Sequence, residues 1–160
     1  MAESSSPTAQ HRFVERFGSA LTEAGLQRLP SRVFAALLAD EDGRMTAAEI
    51  GDVLSVSPAS VSGAVRYLQQ MRMIHREREQ GTRRDVYVVA DDAWHDMMLN
   101  TPRIYEPMTT VLRDGVDLVG GRTTSAGKRI ALSVDFLQFV TEEMGSIAER
   151  WDKRRAELGY

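Results

Sequence analysis

The stretch that decides the fold is Thr46-Ala47-Ala48-Glu49-Ile50-Gly51-Asp52-Val53-Leu54-Ser55-Val56-Ser57-Pro58-Ala59-Ser60-Val61-Ser62. Thr46 and Glu49 have the spacing of a capping box, in which hydroxyl and carboxylate satisfy each other's backbone N–H groups at a helix start. Ile50, Val53 and Leu54 then form the inward face of a short helix. Ser55-Val56 turns the chain, and Ser57-Pro58 starts a second helix with a cap followed by proline at the first helical position. That helix is expected to run from about Pro58 to Arg72, with Val61, Val65, Leu68 and Met71 inside. Ser60, Ser62, Arg66, Gln69 and Gln70 lie on its outer face.

Downstream the period changes from helix to strand. Residues 74–79 and 85–89 are short β-prone runs separated by Gln80-Gly81-Thr82-Arg83-Arg84, which predicts a hairpin with an arginine-rich tip. Helix, tight turn, helix and hairpin together make a winged helix-turn-helix. Upstream, Phe13, Phe17, Ala20, Leu21 and Ala24 recur at helical spacing. A further helix is expected to start at Leu29-Pro30-Ser31 and bury Val33, Phe34, Leu37 and Leu38.

After residue 92 a helical stretch containing Trp94 is expected to be bent or broken by Pro102 and Pro107, with Gly115, Gly120 and Gly121 marking a loop. The last helix spans about Ser125 to Leu158. Its seam is Ile130, Val134, Leu137, Thr141, Met144, Ala148 and Trp151, widened by Phe136, Val140 and Ile147. So much apolar surface on one long helix predicts a partner chain as its cover. The fold class is therefore α+β and mostly helical: a winged helix-turn-helix domain with N- and C-terminal dimerisation helices. The expected divisions are a disordered tail at 1–8, an N-terminal dimerisation helix at 9–28, the winged domain at 29–91, and linker and dimerisation helices at 92–160.

Charge points to the surface that carries function. The 160 residues hold 20 Lys+Arg and 23 Asp+Glu, a net charge of −3, which taken whole argues against nucleic acid. Residues 57–84, however, hold Arg66, Arg72, Arg76, Arg78, Arg83 and Arg84 against Glu77 and Glu79. That local excess matters more to an electrostatic partner than the total. Ser57, Ser60 and Ser62 are short donors and acceptors at a helix start, and Gly63 removes bulk. Arg66 has the reach to pair with a guanine edge or a phosphate. Arg83 and Arg84 at the hairpin tip are placed to meet the DNA backbone or minor groove. The DNA-binding set is thus Ser57, Ser60, Ser62, Arg66, Arg83 and Arg84. A winged helix used as a protein-interaction module, with Arg76 and Arg78 alternating against Glu77 and Glu79 as solvated ion pairs, is the alternative reading.

Residues 46–90, with the Gly81-Thr82-Arg83-Arg84 wing, resemble the MarR family of bacterial regulators. The helix opening Phe13-Val14-Glu15-Arg16-Phe17-Gly18 and the long C-terminal helix resemble its GbsR-like branch. The resemblance implies a cytoplasmic homodimer that places one recognition helix in each half of a pseudo-palindromic operator on double-stranded DNA. It further implies a repressor released by a small hydrophobic effector, with transport or efflux genes as targets. Three positions depart from the family pattern. Ser55 and Arg72 stand where glycine is common, and Thr82 stands where the wing has an acid, leaving Asp85 as the nearby substitute.

Phe17, Trp94, Met97, Met98 and Phe136 are candidate effector-binding residues, weighed against a plain core role. Catalysis and cofactors are not expected. There is no cysteine, and His11, His75 and His95 have no metal-ligand spacing. Residues 121–128 imitate a phosphate loop but have five residues between the glycines and Arg129 in place of Ser/Thr. No secretory signal or membrane span is expected.

Overall fold

The computed structural model describes residues 7–79, 81, 84–89, 95, 99 and 101–159. The chain divides into two compact units, residues 1–94 and 95–160.

The first unit opens with α1 (Pro7–Glu23) and α2 (Arg28–Leu38). They pack closely because Gly18 has no side chain: a Cβ there would stand 3.1 Å from Arg32 Cγ and 3.3 Å from Arg32 Cα. Arg32 instead lies along α1 and donates two hydrogen bonds to Glu15 Oε1, at 2.8 and 2.6 Å. Val14 and Gly18 are buried on α1. Phe13 is exposed and stacks on half-buried Phe17, with ring centroids 5.5 Å apart. The aromatic spacing thus marks the outer flank of α1, not the side that meets α2.

Helix α2 begins at Arg28, so Pro30 is its third residue and not its first. The substitution of place costs nothing, since N–H groups throughout the first turn lack an intrahelical acceptor. Val33, Phe34 and Leu37 are completely buried and form the centre of the unit. Each such side chain contributes about 1.5–3 kcal/mol of transfer free energy.

Asp40 closes the next turn, its Oδ2 accepting from the N–H groups of Asp42 and Arg44. A short strand follows, β1 (Arg44–Thr46), which the sequence reading lacked. Then come α3 (Ala47–Leu54), α4 (Pro58–Gln70), β2 (His75–Arg78) and β3 (Asp85–Val88). The antiparallel sheet has the order β1-β3-β2, with Thr46 opposite Val86 and Glu77 opposite Val86 on the other side. Ile50 and Leu54 from α3 join Val61, Val65 and Leu68 from α4 in the core around α2.

Two inward assignments are corrected. Val53 is 43% exposed, because only the Ile50–Leu54 edge of the short α3 faces α2 and α4. Met71 is exposed and Met73 buried in its stead, because Arg72 turns into the left-handed region at φ 58° and breaks the helical period.

The second unit is an antiparallel-type pair, α5 (Thr101–Leu118) and α6 (Ser125–Leu158), packed on each other. Pro107 does not break α5. It removes one rung of the ladder, while the hydroxyls of Thr109 and Thr110 donate to the carbonyls of Tyr105 and Glu106 at 2.8 and 3.0 Å. Gly115 belongs to α5, and the loop is made by Gly120 and Gly121, both at positive φ. Thr124 caps α6 by accepting from the Gly127 N–H at 2.9 Å, and a Cβ at Gly127 would overlap the Gly121 carbonyl. Residues 121–128, the phosphate-loop imitation, are thus a helix–helix turn with no strand before it.

Arg122 clamps this turn to α6 through both oxygens of Asp135, at 2.9 and 3.0 Å. That pairing raises the Arg122 pKa and lowers that of Asp135. Ala131, Val134 and Leu137 form the buried seam of α6. Leu132, Phe136 and Phe139 lie on another face, 70%, 60% and 60% exposed.

Candidate nucleic-acid interface

The candidate interface is assembled from α3 outward. Thr46 and Glu49 form the capping box: the Glu49 N–H donates to Thr46 Oγ1 at 3.3 Å, and the Thr46 N–H donates to Glu49 Oε2 at 2.6 Å. This bond, the Thr46 hydroxyl, and more weakly the field of Arg84 hold the Glu49 carboxyl below its ordinary pKa, against a small opposing effect of burial. The cap thereby joins the helix-turn-helix to the base of the wing, where Thr46 pairs with Val86 two residues after Arg84.

The turn between α3 and α4 depends on two residues. Ser55 adopts the left-handed conformation (φ 54°, ψ 48°) without being glycine. The Val56 N–H donates to Gly51 O at 3.0 Å, an approach possible because Gly51 carries no Cβ: one would lie 3.2 Å from Val56 O. Ser57 then caps α4, accepting from the Ser60 N–H at 3.3 Å and sharing a hydroxyl–hydroxyl bond with Ser60 at 2.9 Å. Pro58 follows in the first turn, as the spacing of the sequence predicts.

Val61, Ala64, Val65 and Leu68 anchor α4 in the core. The opposite face presents Ser60, Ser62, Gly63, Arg66 and Gln70, all exposed. Ser57 and Ser60 are partly occupied with each other, whereas Ser62 and Arg66 stand clear on the outer face. The inward pattern of hydrophobic residues therefore decides which polar residues share the outward surface.

In the wing, Arg76 Nη1 donates to Asp85 Oδ2 across the strands at 3.3 Å, and Arg44 Nη2 reaches Glu77 at 3.4 Å. His75 Nε2 and Glu77 Oε1 are 2.9 Å apart. Asp85 is thus engaged across strands, and Glu77 both across strands by Arg44 and along β2 by His75. These exposed pairs contribute at most about 1 kcal/mol each. Asp85, the substitute acid for the wing arginine, is engaged by Arg76. The Glu79 N–H closes the base of the tip by donating to Arg84 O at 3.1 Å, and Arg84 is exposed. Arg83 lies outside the described residues.

Of the effector candidates, Trp94, Met97 and Met98 also lie outside the described residues. Phe17 belongs to α1 in the first unit and Phe136 to α6 in the second. A cleft of about 400 Å³ between α5 and α6 is lined by polar side chains including Thr110, Arg113, Gln138 and Thr141, and Phe136 is not among its lining residues. A cleft of about 280 Å³ between α1 and α2 is also polar and does not include Phe17. Among the described residues there is no group of three or more His, Cys, Asp or Glu placed to hold a metal ion. No described helix is long and apolar enough to cross a membrane.

Residues 24–85 match a model described as MarR family, and residues 92–154 match one described as MmpR5-like MarR family transcriptional regulator. A search of curated proteins matched none. Among solved structures, a transcriptional regulator is 22% identical and aligns at a TM-score of 0.78, covering 90% of this chain and 98% of its own. That likeness shows the fold. MepR, a transcription regulator of the Staphylococcus aureus multidrug efflux pump MepA, is 14% identical over 84% of this chain and 93% of its own. Its TM-score is 0.43, and it bears on neither fold nor function here. Residues 24–85 and 92–154 each match a model of one family, and the fold agrees: over both segments the chain is similar to the MarR family of winged helix-turn-helix transcriptional regulators.

Proposed function

We propose that this protein is a homodimeric, sequence-specific DNA-binding regulator that represses transport or efflux genes and is released by a small hydrophobic ligand. The observation that carries the DNA reading is the outer face of α4. Its buried side is fully committed to the core, while Ser60, Ser62 and Arg66 are exposed together behind a capped N-terminus. In this reading Arg66 reads a base edge, Ser57, Ser60 and Ser62 approach backbone and bases, and Arg83 with Arg84 contact phosphates from the wing.

A second copy is the proposed cover for the exposed Leu132, Phe136 and Phe139 of α6. A twofold dimer sets its two recognition helices on half-sites about one helical turn, 34–36 Å, apart. The half-buried ring of Phe17 and the exposed ring of Phe136 supply apolar surface for an effector, with Trp94, Met97 and Met98 completing the proposed set. The finer placement in a GbsR-like branch rests on the layout of the flanking helices, whereas the family model over 92–154 carries the description MmpR5-like. Repression and the efflux targets rest on resemblance to such regulators.

A gel-shift titration of the protein against its own upstream region, at two salt concentrations, tests the central reading. A specific, salt-sensitive shift by the dimer is the expected outcome. No specific shift at either salt concentration overturns it.

A further inference from the structure

Gly63 lies in the interior of α4, and no contact among the described residues accounts for a glycine there. Apart from proline, glycine is the residue least suited to a helix interior. Three other helical glycines have internal reasons. A Cβ at Gly18 would press on Arg32, one at Gly51 would press on Val56 O, and one at Gly127 would overlap the Gly121 carbonyl. Around a Cβ at Gly63 there is no atom of the described residues within 4 Å, and the residue is exposed. Gly145, half-buried on α6, also has no described atom within 4 Å of a Cβ, and a Cβ at Gly115 on α5 would meet only Ile130 Cγ2 at 3.9 Å; both lie on the helices after the winged domain, away from the proposed reading face.

Residues three and four apart are neighbours on a helix surface. Gly63 therefore sits between Ser60 on one side and Arg66 on the other, at the middle of the proposed reading face. Resting on the DNA-binding reading above, we infer that Gly63 is where the α4 backbone comes closest to the floor of the major groove, and that its missing side chain determines sequence specificity.

The physical reason is geometric. Hydrogen bonds from Arg66 and Ser60 to base edges need donor–acceptor distances of about 2.7–3.2 Å. A methyl group at position 63 pushes the helix outward by more than that tolerance. Long wing arginines adjust to the same displacement and keep their phosphates. Specific binding is lost and non-specific binding survives.

The test compares wild type with Gly63→Ala on two DNA probes. One is a pool of randomised duplexes of about 30 base pairs, long enough for two half-sites. The other is the duplex enriched from that pool by the wild-type protein. G63A is expected to melt a few degrees above wild type, because alanine is the better helix former. Its affinity for the enriched duplex should fall about tenfold or more, the scale of a lost base contact, with affinity for the unselected pool within about twofold.

Equal affinity of G63A and wild type for the enriched duplex overturns the inference and leaves the DNA reading standing. So does an equal loss on both probes, which marks a general distortion of α4. Failure of the wild type to enrich any sequence overturns the DNA reading and this inference together.

Discussion

Glu49 and Thr46 close a reciprocal hydrogen-bonded ring. The Thr46 N–H and hydroxyl both donate to Glu49 Oε2, at 2.6 and 2.8 Å, and the Glu49 N–H donates to the Thr46 hydroxyl oxygen at 3.3 Å. This ring starts the helix-turn-helix and stands beside the strand that leads out of the wing.

The ring makes part of the stability pH-dependent. The folded-state pKa of Glu49 is lowered, chiefly by the Thr46 backbone bond, so its contribution is complete above the ordinary glutamate range. It is lost as pH falls through the depressed folded value. Melting temperatures of wild type and Glu49→Gln should differ at neutral pH and converge in acid. A constant gap across that range contradicts the assignment. Thr46→Ala should cost about 1 kcal/mol at neutral pH by loss of the cap.

Ser55 holds a left-handed conformation that glycine adopts more readily. Ser55→Gly is expected to stabilise the protein by about 0.5–1 kcal/mol, the relief of strain being partly offset by greater freedom in the unfolded chain. Chemical denaturation measures it, and a clear destabilisation counts against the strain.

Gly127→Ala should be among the more damaging small substitutions. Its Cβ overlaps the Gly121 carbonyl, and backbone on both sides of the turn must shift to admit it. The expected cost is about 3 kcal/mol or more. It should appear as loss of α5–α6 protection in hydrogen exchange while α2 and α4 keep theirs.

Arg66→Ala and the double variant Arg83→Ala/Arg84→Ala should differ in kind. The first should cost about 1–3 kcal/mol on a specific duplex and relax sequence preference. The second should weaken binding to all duplexes and flatten the dependence of affinity on salt, by about one unit for each phosphate contact removed. Affinity titrations at several salt concentrations separate the two patterns.

The helix starts are where the sequence and the structure agree most closely, because caps are local chemistry. Thr46 with Glu49, and Ser57 with Pro58, act within a few residues of themselves. The last helix likewise occupies the predicted span, Ser125–Leu158. The β1 strand escaped because three residues carry no period. It exists only through pairing with β3, some forty positions away. Val53 misled for a related reason: apolar spacing shows that a side is apolar, not which neighbour it meets. On the candidate interface, Ser62 and Arg66 could be placed on the outer face from helical period alone. That Asp85 serves Arg76, and that Glu49 lies in the field of Arg84, required the strand register.

The sequence by itself determined the helix-turn-helix and hairpin order, the caps at Thr46 and Ser57, and the basic segment 57–84, since each follows from chemistry between near neighbours. Only the tertiary structure decided that Val53 faces outward, which acids the wing arginines engage, and that Gly18 relieves a close approach to Arg32. Those depend on residues well separated in the chain, brought to within a few ångströms in the first unit by burial around Phe34 and Leu37.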